Sequence, residues 1–342
     1  MDIKIFSLCI ISLIFCFYSY PIGKFLSVID IPDGKRKLHQ TPVPQIGGIA
    51  IMVPVILVTF YLSITNELTK LYLTLGSVSA IITLLGFFDD KKNLPAPFRL
   101  FISVLLSFIA LKYVSGLGVM FLFFGEGFQP FIGGPYFFNS FTFYIFTILC
   151  LVGLQNAVNM ADGHNGIVTG MCLVWSLLLI SYSPDHMMPL LITFSLCIGI
   201  VMIFNLLGKV FLGDAGTYGI SMIIGLITIY IYNVNFNNLT ADKIMLMFII
   251  PIIDTIRLMM QRVINGRSPL SSDRNHFHHI LSNIFKDHNS VVLYLSIVAL
   301  PSILAILWPS LTAAWLILVM FIYFFILIIY YFFKNWFPRR VL

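Results

Sequence analysis

The run from Leu71 to Phe88 carries no charged residue and, wound as a helix, is long enough to cross the ~30 Å hydrocarbon core of a bilayer. It stops abruptly at two adjacent carboxylates, Asp89 and Asp90. Ten more stretches are predominantly apolar: 4–23, 46–65, 98–114, 138–158, 167–182, 188–207, 216–233, 243–260, 290–308 and 311–333. In lipid the backbone must satisfy its own hydrogen bonds, so such stretches predict helices. The expected fold is an all-α polytopic integral membrane protein with about eleven transmembrane helices. The whole chain, 1–342, reads as one transmembrane domain, with polar loops at 24–45, 89–98, 159–166, 208–215 and 261–289. Hydrophobic residues make up 59% and charged residues 10% of the chain, where a soluble domain has roughly 25% charge.

Lys and Arg orient the spans. One set of alternate loops holds Lys24, Lys35, Arg36, Lys37, Lys91, Lys92, Arg99, Lys209, Arg262, Arg267, Arg274 and Lys286, joined by Lys334, Arg339 and Arg340 of the tail. The other set holds only Lys4, Lys70, Lys112 and Lys243. This split predicts an outside N-terminus and a cytoplasmic C-terminus. Topology therefore accounts for the net charge of +6, and no nucleic-acid partner is expected. No small-residue cleavage site accompanies the first run, which is expected to remain as an uncleaved helix. The five cysteines, Cys9, Cys16, Cys150, Cys172 and Cys197, all fall in apolar runs without metal or disulfide spacing. The outer segment 115–137 reads as a hairpin or interfacial loop.

Asp89, Asp90, Asp162, Asp214 and Asp273 are expected at cytoplasmic helix mouths, whereas Glu67 and Glu126 fall on the other side. Paired anions at a helix mouth call for a cation, and Mg²⁺ is held by one or two carboxylates together with substrate phosphates. They can also simply mark where the helix leaves the membrane. The segment Asp33 to Gly48 combines Lys35, Arg36, Lys37 and His39 with prolines and glycines, a basic loop suited to lipid phosphates or to topology alone. Asn156 and Asn159 share a helix face ahead of Asp162-Gly163-His164-Asn165-Gly166, an amide and carboxylate set for a hard cation or polar ligand, or a helix end and turn. Asp214 lies among glycines, with Lys209 nearby, and caps a helix or meets a ligand. Arg262, Arg267, Arg274, His276, His278 and His279 crowd one loop, where phosphate recognition fits better than zinc because neither a cysteine nor an HExxH pattern accompanies them.

Together, and in this order from about Asp30 to Leu281, the motifs resemble the polyprenyl-phosphate N-acetylhexosamine-1-phosphate transferase superfamily. Arg36-Lys37-Leu38-His39 with Gly47-Gly48, Asp89-Asp90 with Arg99-Leu100, Asn156 to Gly166, and Asn205 to Gly219 are similar to its first four motifs. His276-Phe277-His278-His279 is similar to the His-x-His-His loop of the bacterial undecaprenyl-phosphate GlcNAc-1-phosphate branch; the related phospho-N-acetylmuramoyl-pentapeptide transferases have three consecutive histidines. Asn165 departs from the Asp of most bacterial members, and Ser103 stands where a Gln is often found.

The resemblance implies an enzyme of the bacterial inner membrane that moves sugar-1-phosphate from a UDP-N-acetylhexosamine to undecaprenyl phosphate and releases UMP. It further implies Mg²⁺, or Mn²⁺, held by Asn159 and Asp214, with Asp89 and Asp90 positioning or deprotonating the lipid phosphate. Asp162, Asn165, Lys209, Arg262, Arg267, Arg274, His276, His278 and His279 would meet the nucleotide-sugar. Lys35, Arg36, Lys37 and His39 would meet the lipid phosphate. Direct attack is favoured over a covalent aspartyl intermediate, and a homodimer is left open. The competing expectations are the pentapeptide transferase and, from another class, a cation-coupled transporter using the helix-mouth Asp residues and Asp254. The transporter predicts acidic groups near the midplane and inverted repeats, and no internal repeat is visible.

Overall fold

A computed structural model describes residues 7–32, 41–129, 134–269, 271, 273 and 275–333. The chain is mostly helical. Helices α1 (Cys9–Phe17) and α2 (Ser19–Leu26) lead into strands β1 (Ile29–Asp30) and β2 (Val43–Pro44), which pair antiparallel. Then follow α3 (Gly47–Thr65), α4 (Thr69–Lys92) and α5 (Ala96–Tyr113). Strands β3 (Phe121–Leu122) and β4 (Tyr136–Phe137) pair antiparallel within the segment 115–137, whose sequence reads as a hairpin or interfacial loop. The rest of the bundle is α6 (Ser140–Ala161), α7 (Ile167–Ile180), α8 (Met188–Leu206), α9 (Gly213–Val234) and α10 (Ala241–Ile264). It closes with α11 (Phe277–Ile284), α12 (Asp287–Leu307) and α13 (Thr312–Phe332).

Among the described residues nine helices are long and apolar enough to cross a membrane, or ten if α1 and α2 count as one broken span. Two of the predicted spans differ from straight crossings. The stretch 4–23 breaks at Tyr18, where α1 and α2 meet at 83°. Pro21, in the first turn of α2, has no N–H to return to the Phe17 carbonyl, so the ladder of α1 cannot run through it. The stretch 167–182 yields α7, whose 14 residues reach only about 21 Å.

The bundle is built around α9. Of the most apolar window of α9, 94% is buried, against 22% for α13. A hydrophobic helix enclosed on all sides needs neighbours that approach closely, and small residues permit it. At the crossing of α3 and α9, a Cβ on Gly48 would overlap the backbone of Gly216. The Gly47 and Gly48 N–H groups also donate to the Phe211 and Leu212 carbonyls at 2.9 and 2.8 Å, fastening α3 to the segment that leads into α9. Across the bundle, Trp175 of α7 donates its indole N–H to the Met247 carbonyl of α10 at 2.7 Å.

Candidate active site

The C-terminal end of α4 meets the N-terminal end of α9. Helix α4 terminates at Asn93, a left-handed residue (φ 48°), after Lys91 and Lys92, whose charges suit the negative end of its dipole. Helix α9 begins at Gly213 (φ 72°), a conformation that favours glycine, and a Cβ there would also press on the Asp90 carboxylate. Two of the orphan N–H groups of α9 are satisfied by Asp90: its two oxygens accept from the backbone N–H of Asp214 at 2.7 Å and of Ala215 at 3.0 Å. A residue from another helix thus does the capping for which Asp214 was itself a candidate. The Asp214 side chain is left to face elsewhere.

Asp214 accepts from the Asn159 amide at 2.6 Å, and that amide also donates to Thr217 Oγ1 at 3.0 Å. The charge of Asp89 also acts on the Asp214 carboxyl. Buried Asp89 accepts from the Leu94 N–H at 2.8 Å, from the Tyr218 hydroxyl at 3.0 Å and from the Arg99 guanidinium. Arg99 donates in turn to the Tyr218 oxygen at 2.8 Å. Asn156, in contrast, turns back on its own helix and donates to the Val152 carbonyl at 2.8 Å. Arg99, Thr217 and Tyr218 were not among the expected site residues. Arg99 had a signal in the Arg99-Leu100 pair of the double-Asp motif. For Thr217 and Tyr218 it was spacing, since they follow Asp214 by three and four residues and so share its helix face.

Asp162 follows the last residue of α6. Its surface is open, yet enough protein closes around it that desolvation, followed by the charge of Asp214, pushes its carboxyl up to about 7. The turn beyond it is held by buried Asn205, which accepts from the Gly166 N–H at 2.7 Å and donates to the Val210 carbonyl at 2.9 Å. A longer contact of 3.4 Å reaches Asn165 Oδ1. One amide therefore ties the turn 162–166 to the segment leading into α9.

The histidine loop closes over that turn. A Cβ on Gly163 would collide with His278 Nε2 and lie 3.1 Å from His279 Nε2. His278 is 2% exposed, and its Nε2 is buried without a hydrogen-bond partner. Burial, reinforced by the neighbouring His279 and His276, holds the His278 ring well below the usual histidine range, so it is neutral. His276 stacks parallel on His278 with ring centroids 5.5 Å apart. Arg262 is also buried; it donates to Asp273 at 2.7 Å and to the Pro269 carbonyl at 2.8 Å, while its Nη2 is left unpartnered. Burial opposes ionisation of Asp273, but the Asn275 N–H and the Arg262 guanidinium outweigh it and hold the carboxyl below its ordinary range.

Arg267 is exposed at the start of the same loop. Lys209 is exposed too, but it lines a groove of about 440 Å³ with Phe17 and Tyr20 of the α1–α2 break, Thr41 to Pro44, Phe204 and Leu207. None of the carboxylates or histidines above lines that groove. Lys35, Arg36, Lys37, His39 and Arg274 lie outside the described residues.

The model of the family described as glycosyl transferase family 4 matches residues 71–232, a range that includes Asp89, Asp90, Asn159 and Asp214. The chain is 27% identical over 340 residues to the undecaprenyl-phosphate alpha-N-acetylglucosaminyl 1-phosphate transferase of Yersinia pestis, covering 94% of this chain and 88% of that protein. It is 29% identical to the probable undecaprenyl-phosphate N-acetylglucosaminyl 1-phosphate transferase of Bacillus subtilis, covering 94% and 89%. The decaprenyl-phosphate N-acetylglucosaminephosphotransferase of Mycobacterium leprae is 24% identical, covering 76% and 71%. With the motifs in order, these matches make the chain similar to the polyprenyl-phosphate N-acetylhexosamine-1-phosphate transferase superfamily.

Proposed function

We propose that this protein transfers N-acetylglucosamine-1-phosphate from UDP-GlcNAc to undecaprenyl phosphate, releasing UMP and starting a lipid-linked cell-surface glycan. The observation that carries this reading is the pairing of Asp214 with Asn159, and of Asp89 with Arg99 and with Tyr218 of α9, beside a turn covered by His278, whose buried Nε2 has no hydrogen-bond partner. A lipid-phosphate oxygen attacks the phosphorus that bears the sugar, the new P–O bond forms, and the bond to the UMP oxygen breaks. Little covalent chemistry is asked of the protein; it positions the two anions and offsets their charge. Asp90 holds the start of α9, and with it Asp214, in place. Asp89, with Arg99 beside it, meets the acceptor phosphate. His278 and its neighbours meet the donor's diphosphate.

Among the described residues no three His, Cys, Asp or Glu side chains converge on a point as a ready-made metal cage. Mg²⁺ does not require one, since it takes one or two carboxylates and completes its shell with water and substrate phosphate. The donor set fits: the Asp214 carboxylate, 2.6 Å from the Asn159 amide and close enough to feel the charge of Asp89, offers the hard oxygens that Mg²⁺ prefers. A half-turn of the Asn159 amide would add its oxygen. Bound there, Mg²⁺ or Mn²⁺ would offset the charge that develops on the leaving UMP.

The test is transfer from a panel of radiolabelled UDP-sugars to undecaprenyl phosphate by the purified protein. UDP-GlcNAc should give labelled lipid and stoichiometric UMP. Transfer only from the UDP-linked muramoyl pentapeptide would move the protein to the sister branch, and no UMP from any donor would overturn the reading.

The charge split supports a finer topology of about eleven crossings, counting α7 and the broken α1–α2 pair, with the N-terminus outside, the C-terminus cytoplasmic and the site at the cytoplasmic face of the inner membrane. Single cysteines at 163 and 275, in a background lacking the five native cysteines, should resist an impermeant maleimide in intact cells, while one at 125 should react. Labelling at 275 from outside would invert the arrangement.

A further inference from the structure

Asp254 lies in α10, outside every motif that the resemblance uses, and it is 5% exposed. Four donors converge on it. One carboxylate oxygen accepts from Arg257 Nη2 at 2.7 Å and from the Tyr323 hydroxyl at 2.8 Å. The other accepts from His276 Nδ1 at 3.0 Å and from the Phe277 N–H at 3.1 Å. Arg257 and Tyr323 also brace each other at 2.8 Å, and Arg257 donates to the Asn275 carbonyl at 2.7 Å. One buried carboxylate thereby joins α10, α13 and the first residues of the histidine loop.

Only an ionised carboxylate accepts at every one of these contacts; an amide would turn an N–H₂ toward donors. Facing such an acceptor, His276 must carry a proton on Nδ1. The ring then has Nε2 as its one remaining polar atom. A carboxylate that orients an imidazole through Nδ1 in this way fixes both tautomer and ring plane. The plane matters because His278, whose Nε2 meets the Gly163 turn, stacks on His276 with an interplanar angle of 8°.

We infer that Asp254 is a positioning residue for donor binding: it locks His276 with Nδ1 protonated and so sets the plane in which His276 and His278 meet the diphosphate of the nucleotide-sugar. This rests on the proposed transfer reaction. Asp254 itself touches neither substrate; it acts through His276.

Two measurements test it on the full-length protein. In the first, ¹⁵N-histidine spectra of the wild-type protein, with His276 assigned by its loss in His276→Ala, should show a protonated Nδ1. A bare Nδ1 with a protonated Nε2 would overturn the inference without reference to activity. The second is a double-mutant cycle in the transfer assay. Asp254→Asn should raise the UDP-GlcNAc KM about tenfold or more and change kcat by less than about threefold, the size of a lost charge-assisted hydrogen bond. His276→Ala should do the same, and the double variant should be no worse than either alone, because coupled residues are not additive. An unchanged KM in Asp254→Asn, or effects that multiply, would mean that Asp254 only holds the helices together. If Asp254→Asn does not fold, the wild-type spectrum still decides. If wild-type protein transfers nothing, the reaction fails as a reading while the tautomer result stands on its own.

Discussion

Treating the purified protein with EDTA is expected to abolish transfer, by about a hundredfold or more, and added Mg²⁺ or Mn²⁺ to restore it. The expectation comes from charge. Asp89, Asp90, Asp162 and Asp214 are close enough to perturb one another, and the donor diphosphate and acceptor phosphate bring further negative charge to the same end of the bundle. Against these stands the Arg99 guanidinium, which is already engaged with Asp89. The Asp90 carboxylate is offset by backbone N–H groups rather than by a cation. Bringing two more anions against this face without a divalent cation would cost more than positioning alone returns. Carboxylate and amide oxygens select a hard cation over zinc or copper. The check is the initial rate of UMP release in chelated buffer and after titration with Mg²⁺, Mn²⁺ and Ca²⁺. Full activity in metal-free buffer would rule out metal assistance.

Much of this site was legible because polar residues in a bilayer protein are rare enough to stand out. The double carboxylate after Phe88, the Asn159 to Asn165 segment and the histidine loop could each be picked out by chemistry alone, and the helices around them follow from apolar length. What could not be read was partnership. Asp89 and Asp90 are chemically identical neighbours, yet the helical turn points one at Arg99 and Tyr218 and the other at the start of α9. No pattern within one segment announces that Asp90 caps a helix more than a hundred residues away. Lys209 sits in sequence beside the α9 motif, but the structure turns it to the groove at the α1–α2 break. Asp254 figures in the sequence only as a residue of the transporter alternative, and its four partners come from three elements. Straightness was also illegible in two places. Hydropathy counts residues, so it read through Pro21, and it took the 14-residue α7 for a full crossing.

Asp214→Asn and His278→Ala should fail in different ways, and the difference separates chemistry from grip. Asp90 already caps α9, so the substitution at Asp214 leaves the cap intact and should move the melting temperature little. It removes a carboxylate oxygen facing Asp89 and Asn159, where the cation and the developing charge on UMP are expected. Stabilisation that is stronger in the transition state than in the ground state appears in kcat. Asp214→Asn should therefore lower kcat by about a hundredfold or more, with a modest change in KM. His278 differs in kind. It is a neutral, buried ring whose Nε2 has no partner until a ligand supplies one. Deleting a hydrogen bond to a charged phosphate costs roughly 1.5–3 kcal/mol, or about ten- to a hundredfold in the UDP-GlcNAc KM, with kcat nearly kept. Steady-state kinetics on both purified variants, with thermal melts to confirm folding, provide the measurement. A folded Asp214→Asn protein with normal kcat would remove that carboxylate from the reaction. A His278→Ala protein with an unchanged KM and a collapsed kcat would move the histidine from holding the donor into the transfer step itself.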